Sequence, residues 1–334
     1  MPTLTARHHA QAPDYRISIA GQAITPRLRP RLQTLAIRQA RGEEADELTL
    51  TLEDADTRLQ LPRTGVTVQV ELGWQGQGVA TIGEFIVDEV EHSGAPDQVH
   101  IRGRSADLRA ALPVPRTHSY DNTTLGAIIE TIAGRHQLTP TIAPSLGARA
   151  IAHIDQTDES DANFLTRLGE RYDAIATIKQ AHLLFLPAGQ AQTASGQAMP
   201  QLAISRASGD SHRYRTTDRE RYTGVIAYYR DTAAAERQRV TAGNTETRPK
   251  TLRDTYPTQA EAQDAANSAW RSLQRSSRAL ELALARGRPT LAPETRITVH
   301  GFKAEIDAID WLAVEVEHRL GPDGYTNTLK LEQK

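Results

Sequence analysis

The chain has 334 residues, 39% hydrophobic and 24% charged, a composition that supports packed cores, suggests two or three domains and excludes disordered or collagen-like chains. Its 39 Lys and Arg stand against 41 Asp and Glu, so no net field marks it as a nucleic-acid or membrane-surface binder, although all but five of the cations are Arg. Cysteine is absent, which removes disulfides, thiolate zinc sites and cysteine nucleophiles; with no signal-peptide pattern and no run near the ~18 apolar residues of a membrane span, a cytoplasmic chain is expected.

Residues 15–102 read as β structure, because apolar residues alternate and turn residues bound each run. Tyr15, Ile17 and Ile19 alternate before Gly21, Leu48, Leu50 and Leu52 before Asp54, and Val66, Val68, Val70 and Leu72 before Gly73. Phe85, Val87 and Glu89 are expected to share one face of the next strand, completing a meander of five to seven strands. GWQGQG at 73–78 has no following helix, which a dinucleotide loop requires, and reads as a hairpin tip.

The period changes at Thr123, where Leu125, Ile128, Ile129 and Ile132 fall at helical spacing behind a Thr cap. A second helix follows, with Asp158 or Ser160 as its cap and Phe164, Leu165, Leu168 and Tyr172 as its core stripe. Two short strands, 174–178 and 182–186, are joined by a Lys-Gln turn, and a Gly/Ala/Gln/Ser stretch closes the unit. A strand is expected over 223–229. Residues 231–253 show no periodicity and read as a long loop, whose Arg237, Arg239, Arg248, Lys250 and Arg253 are candidates for docking on a partner. A helix over 258–274, an alternating LELALA run and a terminal hairpin with a GPDG turn complete the chain.

The two β regions resemble each other. Pro62, Thr64, Val66, Thr67 and Val68 match Pro293, Thr295, Ile297, Thr298 and Val299, Phe85 answers Trp311, and Glu89, Val90, Glu91 and His92 recur as Glu315, Val316, Glu317 and His318. Both runs enter a Gly/Pro/Asp turn. The expected fold class is therefore α+β, mainly β: two similar tube-like antiparallel β-barrel domains at 1–112 and 206–334, a small α/β domain inserted at 113–205, and a helix in the second half.

Catalytic and metal-binding signals are weak. His8, His9, His92 and His318 form no HExxH or paired motif, so no metal is expected. The acidic run at 155–161 lacks the sixth-position Gly and terminal Glu of a calcium loop and suits a helix N-terminus better. GDSH at 209–212 has no nucleophile elbow around it. Arg27, Arg29 and Arg31, and Arg213, Arg215, Arg219 and Arg221 interleaved with Tyr214 and Tyr222, could grip phosphates, but Asp210, Asp218 and Glu220 mix the field and favour subunit interfaces.

Three stretches carry a family resemblance: LPRTGVTVQVELGW with GEFIVDEVEHSGAPDQVHIRGRSADLR; Gln156, Glu159, Ser160 and Asp161 running into Phe164, Leu165, Arg167, Leu168 and Tyr172; and the terminal HGF, DWLAVEVEHRLG and GYTNTLKLE. The sequence resembles the phage late control D proteins, hubs of contractile tail baseplates related to the N-terminal part of VgrG. The resemblance implies a homotrimeric hub with no enzymatic activity and no cofactor, adapting a six-fold tail tube to a three-fold spike in a phage tail or tailocin. Its implied partners are itself, a trimeric spike protein, the tube or tube-initiator protein, and tape-measure or other baseplate proteins, with no membrane and no specific nucleic acid. The chain stops soon after its last strand, so the spike is expected to be a separate polypeptide. The particle would assemble in the bacterial cytoplasm. The alternatives are a DNA-binding late-gene regulator, separable by a gel shift with a steep salt dependence, and a cell-wall hydrolase hub, separable by a zymogram.

Overall fold

A computed structural model describes residues 11–42, 45–105, 112–179, 181–190, 201–216, 222–231 and 236–334. His8, His9, Gln180, Asp218, Arg219, Glu220 and Arg221 lie outside the described residues, as does most of the Gly/Ala/Gln/Ser stretch.

The first half opens with β1 (Pro13–Ile19), β2 (Gln22–Ala23), α1 (Thr25–Leu28), β3 (Leu32–Ala40), β4 (Glu47–Glu53), β5 (Thr67–Trp74), β6 (Gly78–Ser93) and β7 (Gln98–Arg104). There follow β8 (Pro115–Thr124), α2 (Leu125–Arg135), β9 (Thr139–Ile142), α3 (Pro144–Gly147), β10 (Ala150–Ser160), α4 (Asp161–Tyr172), β11 (Ala174–Lys179) and β12 (His182–Pro187). The second half contains β13 (Gln201–Ser205), β14 (Gly209–Thr216), β15 (Gly224–Asp231), β16 (Glu236–Gly243), β17 (Pro249–Tyr256), α5 (Gln259–Arg275), β18 (Arg278–Leu284), β19 (Arg296–His300), α6 (Ala304–Asp307), β20 (Trp311–Gly321) and β21 (Gly324–Gln333).

The protein is mainly β. Alternation in β1, β3, β4, β5 and β7 puts Ile17, Leu35, Ile37, Leu48, Leu50, Val70 and Val99 into one core, so the sheet curls around its own inner face. A second core gathers Leu280, Leu282, Leu284, Ile297, Trp311, Val316, Leu329 and Leu331. The two are not separate sheets. Strands from both halves form one 13-stranded sheet, joined where Glu315–Leu320 of β20 pair antiparallel with Leu35–Ala40 of β3. Among the described residues no further pairing closes either half into a complete barrel.

The hairpin turn at Gln75–Gln77 lies between β5 and β6 as expected. Glu89 does not continue the buried face of Phe85 and Val87: a β-bulge between Val87 and Glu89 turns it out to solvent.

The insert packs α2 and α4 on β9, β11 and β12, and its core includes Ile128, Ile129, Ile132, Phe164, Leu165 and Leu168. The antiparallel β8–β10 pair beside it, whose strands are separated in the chain by α2, β9 and α3, leaves no period in the sequence, because β8 buries only Tyr120 along ten residues. β13 belongs with the second half, pairing parallel with β19 and burying Ile204 in its core.

The expected loop over 231–253 is replaced by strands. β16 and β17 flank β15 in a three-stranded sheet, one face of which lies on α5 through Val225, Ala227, Val240, Ala242, Ala262, Ala265 and Ala266. Each flanking strand needs only two apolar anchors, Val240 and Ala242 in one and Leu252 and Tyr256 in the other, too few to show a period.

Candidate functional site

The signature residues of the insert build a structural lock. A bulge between Gln156 and Glu159 in β10 leaves Asp158 in the left-handed region, at φ 46°. That bend feeds straight into α4, whose cap is Ser160, accepting a hydrogen bond from the Asn163 N–H at 3.2 Å; Asp158 does not cap. Gln156 is fully buried and donates through Nε2 to the Glu159 carbonyl at 2.8 Å and to Asp161 at 2.9 Å.

Asp161 also receives Arg135 at 3.1 Å and His136 at 2.8 Å from the end of α2. Burial opposes its ionisation, but the hydrogen bonds from His136 and Gln156 and the charge of Arg135 outweigh it, and its carboxyl lies below the usual range. Glu159 binds Arg167 at 2.8 Å, and that guanidinium lies 4.9 Å over the Phe164 ring, which stacks on Tyr120. Tyr172 is buried at the end of the same stripe. The acidic run thus ties β10, α4 and α2 together. Among the described residues no group of three His, Asp or Glu is placed to hold a metal ion.

The repeat is visible as paired defects. β6 bulges between Val87 and Glu89 against β7, and β20 bulges between Ala313 and Glu315 against β21, at the same point before the shared Glu-Val-Glu-His run. β3 bulges between Leu32 and Thr34 against β4, and β14 between Gly209 and Ser211 against β18. Leu48, Leu50 and Leu52 in β4 correspond through these ladders to Leu280, Leu282 and Leu284 in β18. One part of the sequence match shifts: Val68 opposes Phe85, whereas Ile297 opposes Trp311, so the Pro-Thr-Val match lies two residues out of pairing register.

The identical runs have different surroundings. Val316 and His318 are 0% exposed, whereas Val90 is half-buried and Glu91 and His92 are exposed. His318 accepts the Tyr325 hydroxyl and donates to the Leu291 carbonyl, at 2.7 and 3.2 Å, and burial lowers its pKa to about 4. His92 lies 3.5 Å from Asp54.

Arg side chains tie the units together. Arg38 reaches Glu315 at 2.8 Å and Arg41 reaches Glu294 at 3.1 Å, both from the first β unit to the second. Asp173 of the insert, in the left-handed region at the end of α4, takes Arg271 and Arg275 from α5, and Arg171 pairs with Glu261.

Arg237 and Arg239 extend from β16 and Arg253 from β17, all three exposed, and Arg237 lies 3.8 Å over the Tyr228 ring. Arg248 precedes β17, its backbone N–H bonded to Thr223, and Lys250 sits inside that strand. His212 of the GDSH run packs its ring edge-on against Phe302 in an edge strand. Arg27, Arg29 and Arg31 sit in or beside α1, where Arg29 pairs with Asp14 and Arg31 with Asp54 and Asp56.

The family described as phage tail baseplate hub (GPD) matches residues 45–324. The probable baseplate hub protein of Escherichia phage P2 is 39% identical over 359 residues, covering 96% of this chain and 93% of that protein. That of Escherichia phage 186 is 38% identical over 363 residues, covering 97% and 93%. Among solved structures, the tail protein from Neisseria meningitidis MC58 shares the fold with a TM-score of 0.69 at 16% identity over 97% of each chain. The prophage MuSo2 43 kDa tail protein from Shewanella oneidensis does so with a TM-score of 0.67 at 14% identity over 96% of each. A duplicated, bulge-marked β unit carrying a helical insert, matched along nearly its whole length by these relatives, places the chain in the phage tail baseplate hub family.

Proposed function

We propose that this hub works as a non-enzymatic homotrimer that joins a six-fold tail tube on one side to a three-fold spike on the other, in a phage tail or tailocin. The carrying observation is the duplication. Two β units with bulges at matching points lie in one continuous sheet, so three chains around an axis present six similar units. A tube of six-fold symmetry then meets near-equivalent surfaces, while the three inserts keep the three-fold symmetry that a spike requires. The outward Arg237, Arg239 and Arg253 offer a docking surface for an acidic face of a neighbouring tail protein. Assembly takes place in the bacterial cytoplasm before the hub enters the particle.

Sedimentation equilibrium and electron microscopy of the purified protein, alone and with its spike protein, test this reading. A three-fold particle with six lobes is expected. A particle that remains monomeric or forms only two-fold dimers in both preparations overturns it.

A further inference from the structure

We propose that neighbouring copies of this chain join by antiparallel strand pairing between Val90–Ser93 of β6 and Arg213–Thr216 of β14, in the register that β20 and β3 already show within one chain. This deepens the ring reading and rests on it.

Inside one chain, Val316 pairs with Gln39, Glu317 with Arg38, His318 with Ile37 and Arg319 with Ala36. The equivalent of Glu315–His318 is Glu89–His92, fixed by identical residues and the shared bulge. The equivalent of β3 is β14: both carry a bulge at the same step, and both lie beside the Leu-rich strand of their unit. Transferring the register sets Val90 opposite Thr216, Glu91 opposite Arg215, His92 opposite Tyr214 and Ser93 opposite Arg213.

Both edges are open among the described residues. Beyond its bulge β6 pairs only with β7, and β14 pairs only with β18, among the described residues. Uncovered edges of this kind invite pairing with another chain.

Charge points to the same partner. Glu315 sits between Lys330 on the adjacent strand and Arg38 across the joint, both at 2.8 Å. Glu89 has the equivalent of Lys330 in Arg102, at 3.0 Å, and is otherwise more than half exposed. The side chain corresponding to Arg38 is Arg215, exposed on β14, so a neighbouring copy supplies the second cation. The contact is head-to-tail, which closes rings rather than isolated pairs.

The absence of native cysteine makes the test direct. A chain carrying Val90→Cys and Thr216→Cys is oxidised and run without reductant, beside each single variant and a His92→Cys/Tyr214→Cys chain, with folding checked by circular dichroism. Both double variants are expected to form covalent rings, and the single variants none. Arg215→Glu is expected to raise the protein concentration needed for assembly by about tenfold, and Glu89→Arg in the same chain to restore it. A trimer by sedimentation in which neither folded double variant cross-links overturns the strand pairing and leaves the ring reading standing. A chain monomeric in every preparation overturns both.

Discussion

His318 shows how one buried side chain converts position in the repeat into a pH response. Its Nε2–H donates to a carbonyl and its Nδ1 accepts from Tyr325 and from Asn327, an arrangement that fits the neutral ring. Its folded pKa of about 4 lies below the ordinary 6.5, so the unfolded chain takes up a proton first as the pH falls. The neutral ring's contribution is complete above about pH 6.5 and is lost as the pH drops toward 4, by roughly 3 kcal/mol at most. Denaturant unfolding at pH 7 and pH 5 should show a smaller loss for His318→Gln than for the parent; equal losses would exclude His318 as the source. Gly287 is a second single-residue control point. Its carbonyl accepts the Trp74 indole N–H at 2.9 Å, and a Cβ there would lie 2.6 Å from the Tyr325 ring. Gly287→Ala is expected to cost about 1–3 kcal/mol by overpacking, whereas Gly134→Ala, exposed in α2 with nothing within 4 Å, should gain about 0.5–1 kcal/mol. Urea titration of the two variants checks the contrast.

At the scale of elements, caps and periods agree closely with the fold. Thr124, Ser160 and Thr258 each accept a backbone N–H three residues on, and each helix starts where its cap stands. Ser160→Ala is expected to destabilise the insert by about 1 kcal/mol, read as a lowered denaturation midpoint with an unchanged slope. Ser160→Asp, which can still accept from Asn163, should recover most of that loss. Strands that bury a full face were legible, as in Leu48, Leu50 and Leu52, because alternation itself carries the information. Those with one or two anchors were not: β8 rests on Tyr120, and β16 on Val240 and Ala242. Polar residues there are held by ladder hydrogen bonds, which leave no pattern in side-chain type. The signature of the insert was readable as a motif, but its physical content, a bulge followed by a cap and a buried carboxylate, required the three-dimensional arrangement. The docking candidates were found as a basic cluster and misplaced on a loop; the sheet aims Arg237, Arg239 and Arg253 outward from fixed strands instead.

On the scale of the whole molecule, duplication leaves two equivalent surfaces with different fates. The second unit's Glu-Val-Glu-His run is covered by β3 of the same chain, and among the described residues no second strand covers the first unit's. Arg38, Arg41, Arg271 and Arg275 bridge the units through carboxylates where a cysteine-free chain has no covalent staple. A matched pair of substitutions separates folding from assembly. Val316 is 0% exposed, packed where both units meet, so Val316→Ala removes two buried methyl groups' worth of contact and leaves a void that rigid ladders cannot collapse. The expected cost is about 2–3 kcal/mol in the unassembled chain. Val90 occupies the same letter of the repeat but is half-buried, and Val90→Ala should cost below about 1 kcal/mol under the same conditions. In the proposed trimer the order of effects reverses: Val90→Ala weakens association, while Val316→Ala shifts stability and leaves the association constant of the folded chain unchanged. Equal effects of the two substitutions on the unassembled chain would show that β3 does not distinguish the copies.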